Sequence, residues 1–132
     1  MKKKIIPVVI GVIKKDNKYL LTLRVHGDLR YHNKWQFPGG EVNYGESLID
    51  ALNRELKEEL NVQIDIIKQI SLVFDKIESD WHGIFITYIC KLKNNNTLIK
   101  LNHEASKFAW FSKEEILKLD TLAGIKELLC QI

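Results

Sequence analysis

Three glutamates near the middle of the chain have a spacing that could hold a metal ion. Glu55, Glu58 and Glu59 stand at positions i, i+3 and i+4 of the segment RELKEEL. In a helix their carboxylates would lie on one face within a single turn, where each like-charged pair is destabilising by roughly 0.2–0.5 kcal/mol. A hard divalent cation such as Mg²⁺ or Mn²⁺ prefers carboxylate oxygens and would offset that repulsion. The alternative is an ordinary surface helix, in which Arg54 and Lys57 pair with the glutamates.

A glycine-rich turn precedes the acidic segment. Pro38 ends a short aromatic–x–aromatic strand, and Gly39 and Gly40 follow it. Paired glycines make a tight turn, and they also let the backbone approach a metal or a phosphate group closely. Glu46 stands between these glycines and the acidic run. The combination favours a metal or phosphate site over a solvated helix face.

The helix that would carry the glutamates has recognisable ends. It opens at Ser47, or at Gly45 and Glu46 just before it, and Asn61 follows its last leucine, where a left-handed cap favours Gly or Asn. An i, i+4 stripe predicts the face that packs on the core, and the acidic arc is centred about 110° away from it. The stripe consists of Leu48, Leu52, Leu56 and Leu60, with Ile49 beside it. The helix is therefore expected to pack along one side and to expose the glutamates on its flank.

Strand patterns on both sides of this helix predict an α/β sandwich, in one domain spanning residues 1–132. Apolar, β-branched or aromatic runs predict strands at 5–13, 19–25, 84–92 and 108–111, and a long or broken strand at 62–74. The first two form a hairpin, and the first has the composition of a strand buried on both faces. Two further helices are expected, one from a capping box at Ser112 and Glu115 to about residue 119 and one at 122–130.

The composition of the 132-residue chain is that of a soluble globular domain, with 45% apolar and 28% charged residues. No apolar run approaches the roughly 20 residues that span a bilayer, which argues against a membrane protein. The start of the chain has the basic residues and apolar run of a signal peptide but no small-residue cleavage site, so a first strand is the favoured interpretation.

Charge and cysteine content restrict the partners and the compartment. The net charge of +3 is modest, and Lys2, Lys3 and Lys4 form the only tight basic cluster, so nucleic acid is not the expected partner. Cys90 and Cys130 are far apart and belong to no metal-binding pattern. Reduced thiols, and hence a cytoplasmic protein, are expected.

The segment from Gly40 to Val62 resembles the Nudix box, G-x5-E-x7-R-E-U-x-E-E-x-G-U, in which U is a bulky aliphatic residue. The positions that match in register are Gly40, Glu46, Arg54, Glu55, Leu56, Glu58, Glu59 and Val62. The one departure is Asn61 in place of the final glycine, and asparagine is the next-best residue for a left-handed cap. The first hairpin, WQFPGG and EASKFAWF extend the similarity to MutT-like members over most of the chain. The resemblance implies the Nudix α/β/α sandwich, with a mixed β-sheet and the Nudix loop–helix motif.

The resemblance also implies a chemistry and a metal site. Nudix hydrolases cleave a nucleoside diphosphate linked to another group, through attack of water on phosphorus with a divalent metal. Glu55, Glu58 and Glu59 would bind Mg²⁺, or Mn²⁺ in its place, together with the Gly40 carbonyl. Glu46 would support the loop–helix unit. Glu58 or Glu59 could act as the general base instead of a glutamate in the loop before the last strand, Glu104.

Further residues have implied roles in binding the substrate or in catalysis. Arg54 would orient the glutamates through its planar guanidinium. Gly39 and Gly40 would bind the substrate. Glu104 occupies the place of a glutamate that serves as general base in MutT-like members, with a solvated loop carboxylate as the alternative. Arg24 matches a second-strand arginine that contacts phosphates, with an outward-facing strand residue as the alternative.

The resemblance narrows the substrate only in part. Some ADP-ribose hydrolases carry a proline beyond the box and some dinucleoside-polyphosphate hydrolases a tyrosine, and residues 77–80 (IESD) contain neither. The short chain and WQFPGG favour a nucleoside triphosphate pyrophosphatase, which releases a nucleoside monophosphate and pyrophosphate. The nucleotide could be normal or oxidised, such as 8-oxo-dGTP. Trp81, Phe85 and Tyr88 could either stack its base or belong to the core.

Several alternatives stay open at this point. The chain could hydrolyse ADP-ribose, dinucleoside polyphosphates or RNA 5′ ends, or it could be a non-catalytic nucleotide-binding Nudix domain. The intact Glu55, Glu58 and Glu59 argue against the non-catalytic alternative. Both a monomer and a homodimer are compatible with the sequence.

Overall fold

In the part of the chain that the structure describes, eight strands and three helices follow one another in the mixed order of an α/β domain. A computed structural model describes residues 3–25 and 29–132, so Lys2 of the basic cluster lies outside the described residues. The strands are β1 Lys4–Lys15, β2 Lys18–Arg24, β3 Trp35–Gln36, β4 Gly39–Glu41, β5 Ile64–Gln69, β6 Phe74–Ile77, β7 Trp81–Leu92 and β8 Ala105–Phe111. The helices are α1 Leu48–Leu60, α2 Lys113–Leu117 and α3 Ile125–Leu128. Single 3₁₀ turns lie at Leu29–Tyr31 and Leu129–Gln131.

Strands β1 and β7 form the parallel centre of a mixed sheet. They pair from Lys4 opposite Trp81 to Ile13 opposite Cys90. Strands β5 and β6 add antiparallel to β7, and β2 and β4 add antiparallel to β1. Strands β3 and β8 pair with β2. The prediction of a mixed sheet is confirmed.

Two apolar clusters lie on opposite faces of β1, which is why this strand is apolar without alternation. Val9 and Ile13 pack with the buried leucines of α1 on one face. Ile10 and Val12 pack on the other face, with Ile116 of α2 and with the apolar side of α3. The sheet is therefore held between α1 and the two short helices, and the predicted α/β sandwich is confirmed.

Several predicted element bounds are wrong, because pairing partners extend or interrupt the local patterns. Strand β7 begins at Trp81 rather than at residue 84, since its pairing with β1 continues to Lys4. Strand β8 begins at Ala105 because β2 pairs with that segment. Of the long or broken strand predicted at 62–74, the broken alternative is correct, since β5 ends at Gln69 and β6 begins only at Phe74 and continues to Ile77. The helix predicted at 122–130 has only four α-helical residues, and a 3₁₀ turn follows it.

The packed face of α1 differs from the predicted stripe at its start. Leu48 and Ile49 lie in the first turn and are 36% and 47% exposed, whereas Ala51 and Leu52 are fully buried. The helix therefore meets the sheet from its second turn onward. Within residues 3–25 and 29–132, no helix is both long and apolar enough to cross a membrane.

Candidate active site

Helix α1 is fixed at both ends by the caps that the sequence predicts. The Ser47 hydroxyl accepts a hydrogen bond from the Asp50 amide at 3.1 Å. Asn61 adopts the left-handed conformation (φ 59°, ψ 40°), and its amide donates to the Lys57 carbonyl at 3.0 Å. The Asn61 side chain also accepts a hydrogen bond from the Lys57 ammonium at 3.0 Å. Asparagine therefore performs the capping role of the glycine that it replaces.

Arg54 ties the preceding loop to the helix. Its Nε and Nη2 donate to the two carboxylate oxygens of Glu46 at 2.7 and 2.9 Å, and Nη2 also donates to the Glu41 carbonyl at 2.9 Å. The Glu46 carboxylate in turn accepts from the Asn43 amide. The Arg54 hydrogen bonds, together with this amide, lower the pKa of Glu46 to about 2, and Glu46 raises the pKa of Arg54. This two-pronged pair agrees with the structural role predicted for Glu46.

The same guanidinium holds two of the three box glutamates. Arg54 Nη1 donates to Glu55 Oε1 at 3.0 Å and to Glu58 Oε2 at 3.3 Å. The two carboxylates differ in environment, since the Glu58 side chain is 56% exposed and that of Glu55 is mostly buried. Burial raises the pKa of Glu55, and the charges of Glu58 and Glu104 raise it further, against the opposing effect of Arg54.

Glu59 is the most unusual of the three, because it is a charged residue that is only 7% exposed. Burial raises its pKa well above the ordinary value, and repulsion by Glu104 and Glu55 adds to that effect. The Gly39 amide donates a hydrogen bond that opposes the shift. A buried carboxylate among other carboxylates is stabilised by a cation, so the local electrostatics favour a bound metal.

Gly40 brings the glycine turn into contact with Glu55. A Cβ atom at this position would lie 2.4–2.6 Å from the Glu55 carboxyl atoms, so no larger residue fits without movement. Strand β4, which contains Gly40, is held in place by pairing with Val9 of β1. The carboxylate and the backbone of the turn are therefore adjacent, in the manner that a site of hard oxygen ligands requires.

The fold brings the predicted metal ligands close to one another but does not arrange them as a complete metal site. Among residues 3–25 and 29–132, no group of three or more His, Cys, Asp or Glu side chains has an arrangement that could hold a metal ion. Glu55 and Glu58 both accept hydrogen bonds from Arg54, so a metal would have to share these carboxylates with the guanidinium. The donor types and the mutual repulsion nevertheless fit Mg²⁺ or Mn²⁺.

Glu104 and Arg24 lie side by side at the edge of the same site. The Val25 amide donates to the Glu104 carbonyl at 3.1 Å, and Arg24 pairs with Ala105 in the sheet. The loop before β8 is also attached to α1, because the Asn102 amide donates to the Glu59 carbonyl at 3.2 Å. These contacts explain how a residue 45 positions beyond Glu59 influences its pKa.

A cleft of about 610 Å³ joins these residues. Its lining includes, of the residues predicted for the site, Arg24, Gly39, Gly40, Glu55, Glu59 and Glu104. Arg54, Glu46 and Glu58 do not line it and act from the helix flank. The volume lies within the usual range for small-molecule sites.

The cleft also contains residues that the sequence did not single out. Arg30, Tyr31, Lys76 and Asp80 line it together with Trp81. They come from the polar loop after β2 and from the β6–β7 hairpin, where neither periodicity nor a motif marks them. Of the three aromatic candidates for base stacking, Trp81 and Phe85 line the cleft, whereas Tyr88 is 4% exposed and belongs to the core.

The mixed sheet and its acidic loop–helix motif are those of a family of pyrophosphohydrolases. Residues 4–132 match the family model of the NUDIX domain, and the chain belongs to this family.

Known proteins resemble the chain over nearly its full length. Nucleoside triphosphatase NudI of Escherichia coli O17:K52:H18 (strain UMN026 / ExPEC) is 26% identical over 132 residues, and the match covers 92% of each chain. The solution structure of the E. coli ORF135 protein has a TM-score of 0.79 at 27% identity, covering 98% of this chain and 89% of that one. The crystal structure of a MutT NUDIX hydrolase from Burkholderia pseudomallei has a TM-score of 0.81 at 21% identity, covering 97% and 98%, and shares the fold.

Proposed function

We propose that the chain is a divalent-metal-dependent nucleoside triphosphate pyrophosphatase, which converts a nucleoside triphosphate and water into a nucleoside monophosphate and pyrophosphate. The observation that carries the proposal is the buried, mutually repelling pair of carboxylates at Glu55 and Glu59 beside the Gly40 backbone, inside a cleft. The name of the NudI relative supports a triphosphate as the substrate.

The acidic turn would hold the metal. Glu55, Glu58 and Glu59, with the Gly40 carbonyl, would bind Mg²⁺, or Mn²⁺ as a substitute. When bound, the metal would neutralise the phosphate charge and lower the pKa of water. On metal binding, Arg54 would give up or share its hydrogen bonds to Glu55 and Glu58. It would keep its hydrogen bonds to Glu46, so that the loop stays attached to the helix.

The remaining steps belong to residues of this chain. Arg24, which lies on the β2 side of the cleft, would bind phosphate oxygens. A water molecule would attack a phosphorus atom, forming one P–O bond as the bridging P–O bond breaks. Glu104 would accept the proton of that water, because it is a cleft carboxylate close enough to Glu59 to raise its pKa.

The alternative substrates differ in the group that the cleft must bind besides the phosphates. RNA 5′ ends would require a basic track for the strand, and the net charge of +3 gives little support for one. ADP-ribose and dinucleoside polyphosphates carry a second nucleoside or sugar, which the same anhydride chemistry would accommodate. We also propose a cytoplasmic location, which the free thiols of Cys90 and Cys130 support.

A substrate panel tests the proposal. Purified protein is assayed with Mg²⁺, with Mn²⁺ and with a chelator on the normal nucleoside triphosphates, 8-oxo-dGTP, ADP-ribose, dinucleoside polyphosphates and 5′-triphosphate RNA, and the products are separated. We expect metal-stimulated release of pyrophosphate from a triphosphate. Glu58→Gln should lower kcat at least about a hundredfold at an unchanged melting temperature, because an exposed ligand is removed.

A control variant and two outcomes of the substrate panel test the proposed function. Glu114→Gln, an exposed carboxylate on α2 outside the cleft, should leave turnover unchanged. Absence of metal-stimulated turnover on every substrate would refute the proposed hydrolase. Preferred cleavage of ADP-ribose or a dinucleoside polyphosphate would replace the triphosphate as the substrate.

A further inference from the structure

The carboxylate proposed as the general base stands on a segment that the regular sheet does not hold. Strand β8 pairs with β2 in one register from Tyr19 to Leu23, and the register shifts by one residue before Arg24, which lies opposite Ala105. A β-bulge of this kind leaves one residue unpaired and bends the strand. Glu104 directly precedes Ala105, beyond this irregularity. Its position therefore depends on contacts other than the regular ladder.

Hydrogen bonds fix the Glu104 backbone on both sides. Its carbonyl accepts from the Val25 amide at 3.1 Å, next to the end of β2. Its amide donates to the side-chain oxygen Oδ1 of Asn102 at 3.0 Å. A side-chain oxygen that binds the amide two residues ahead closes an Asx turn, which fixes the direction of a short loop segment. Asn102 thus sets the backbone conformation from which the Glu104 side chain projects.

The same asparagine is attached to the helix of the acidic turn. The Asn102 amide donates to the Glu59 carbonyl at 3.2 Å, and the Lys100 amide donates to the Leu60 carbonyl at 3.0 Å. These carbonyls belong to the last turn of α1, where backbone oxygens have no partner within the helix. Because the loop supplies those partners, its position along the helix is fixed. Through Asn102, two hydrogen bonds connect the backbone of Glu59 with that of Glu104.

The two glutamates that Asn102 connects approach each other in the cleft. Glu59 and Glu104 both line it, whereas Asn102 does not. The charge of Glu104 contributes to the raised pKa of Glu59, which shows that the two carboxylates are neighbours. Asn102 is therefore placed to act through Glu104 rather than on a substrate directly.

We propose that Asn102 is a positioning residue, which sets the place of the Glu104 carboxylate relative to Glu59. The inference rests on the proposed function, in which Glu104 accepts the proton of the attacking water. A general base must lie within hydrogen-bond reach of that water, and a displacement of about 1 Å can reduce the rate roughly a hundredfold. Loss of the Asx turn would free the Glu104 amide, whereas the Val25 bond and the attachment to α1 would remain.

Steady-state kinetics test this role with the best-hydrolysed substrate of the panel. Asn102→Ala removes the acceptor oxygen, so kcat should fall about 10- to 100-fold, and KM should stay within about threefold because no cleft group is removed. Asn102→Asp keeps an acceptor oxygen at the same place, and its kcat should stay within about threefold of the unaltered protein. Asn102→Ser, whose hydroxyl closes the turn more weakly, should be intermediate and replaces Asn102→Ala if that variant fails to fold. A rise in KM at unchanged kcat would contradict positioning of the base.

The chain offers a matched control for the Asx turn. The Asn94 side-chain oxygen accepts from the Asn96 amide at 2.9 Å, over the same spacing and in the same connection between β7 and β8. Asn94 does not line the cleft. Asn94→Ala should therefore leave both kcat and KM unchanged. A loss of kcat equal to that of Asn102→Ala would show that both turns merely support the loop, and would overturn the inference.

A double-mutant cycle separates positioning of the base from general damage to the fold. If Asn102 acts through the Glu104 carboxylate, adding Asn102→Ala to Glu104→Gln should lower kcat by no more than about twofold. A merely structural role for Asn102 predicts the same fractional loss in both backgrounds, and this result would refute the inference. Full activity of Glu104→Gln would also refute it, while leaving the hydrolase itself intact.

Amide hydrogen exchange, followed by NMR on the full chain, gives a readout that needs no turnover. In Asn102→Ala the Glu104 amide should exchange at least about tenfold faster, whereas the amide of residue 102, bound to the Glu59 carbonyl, should stay protected. Unchanged protection of the Glu104 amide would overturn the inference. Absence of turnover in the unaltered protein would refute the proposed function and this inference with it. Turnover that Asn102→Ala does not reduce would refute the inference alone.

Discussion

At the scale of residues, the three box glutamates share a motif but occupy three different environments. Glu58 is mainly exposed, Glu55 is mostly buried against Gly40, and Glu59 is almost completely buried. Because Arg54 already bonds Glu55 and Glu58, only Glu59 enters the site without competition from the guanidinium. A metal would therefore find one preformed ligand and two that must reorient.

Glu104 is the residue whose role is most open to direct test. Glu104→Gln keeps the size of the side chain and removes its ability to accept a proton, so kcat should fall about 10²- to 10⁴-fold, as for loss of a general base. Metal affinity, measured by calorimetry with Mn²⁺, should change little.

A second carboxylate in the same cleft provides the control for this variant. Glu41→Gln alters an exposed cleft residue that has no proposed proton-transfer role, and its kcat should stay near that of the unaltered protein. If Glu104→Gln retained full activity, the base would have to be sought among Glu58 and Glu59.

The sequence predicted the grouping of those candidate residues that a fixed spacing on one element brings together. Glu55, Glu58 and Glu59 needed only the helical period, whereas the role predicted for Arg54 came from the resemblance to the Nudix box. Tyr31 and Arg30 could not be predicted in this way. Their place at the cleft depends on contacts with residues about 50 positions away, and such contacts leave no local pattern.

At the scale of elements, α1 was predictable because both of its ends carry local signals. Ser47 and Asn61 cap it through their own side chains and backbone conformations. Strand β7 was less predictable, because its first residues become a strand through pairing with β1 rather than through their own composition. The last helix was overestimated because an amphipathic pattern does not distinguish an α-helix from a helix that ends in a 3₁₀ turn.

The cap at Asn61 gives a stability prediction for α1. Asn61→Ala places an alanine in the left-handed conformation and removes the bond to Lys57, so the free energy of unfolding should fall by about 1–2 kcal/mol. Asn61→Gly restores the residue of the motif and should stay within about 0.5 kcal/mol of the unaltered protein. Urea denaturation measures both.

The comparison position for this test lies on the same helix. Asn53 is exposed within α1, where alanine is the better helix former, so Asn53→Ala should not reduce stability. An Asn61→Ala variant as stable as Asn53→Ala would show that the left-handed cap contributes nothing to the helix. Turnover should be unchanged in all three variants.

At the scale of the whole molecule, the domain carries an electrostatic cost that a ligand can remove. The fold buries Glu59 beside Glu55 and Glu104 and raises its pKa. A carboxyl group with a raised pKa in the folded state favours folding below its unfolded pKa, which is near 4.5. Its contribution is lost as the pH rises through the folded pKa. Glu59 should therefore make the metal-free protein less stable at pH 8 than at pH 4.5.

Thermal melts across this pH range test the coupling between metal and fold. Without metal, Glu59→Gln should melt at a higher temperature than the unaltered protein at pH 8, and the difference should shrink toward pH 4.5, because glutamine stays neutral throughout. Excess Mg²⁺ at pH 8 should raise the melting temperature of the unaltered protein, since a ligand at 100 times its Kd contributes about 2.7 kcal/mol. The Glu59→Gln variant should gain much less. Equal gains in both proteins would place the stabilising Mg²⁺ away from Glu59 and would contradict the metal site proposed for this helix.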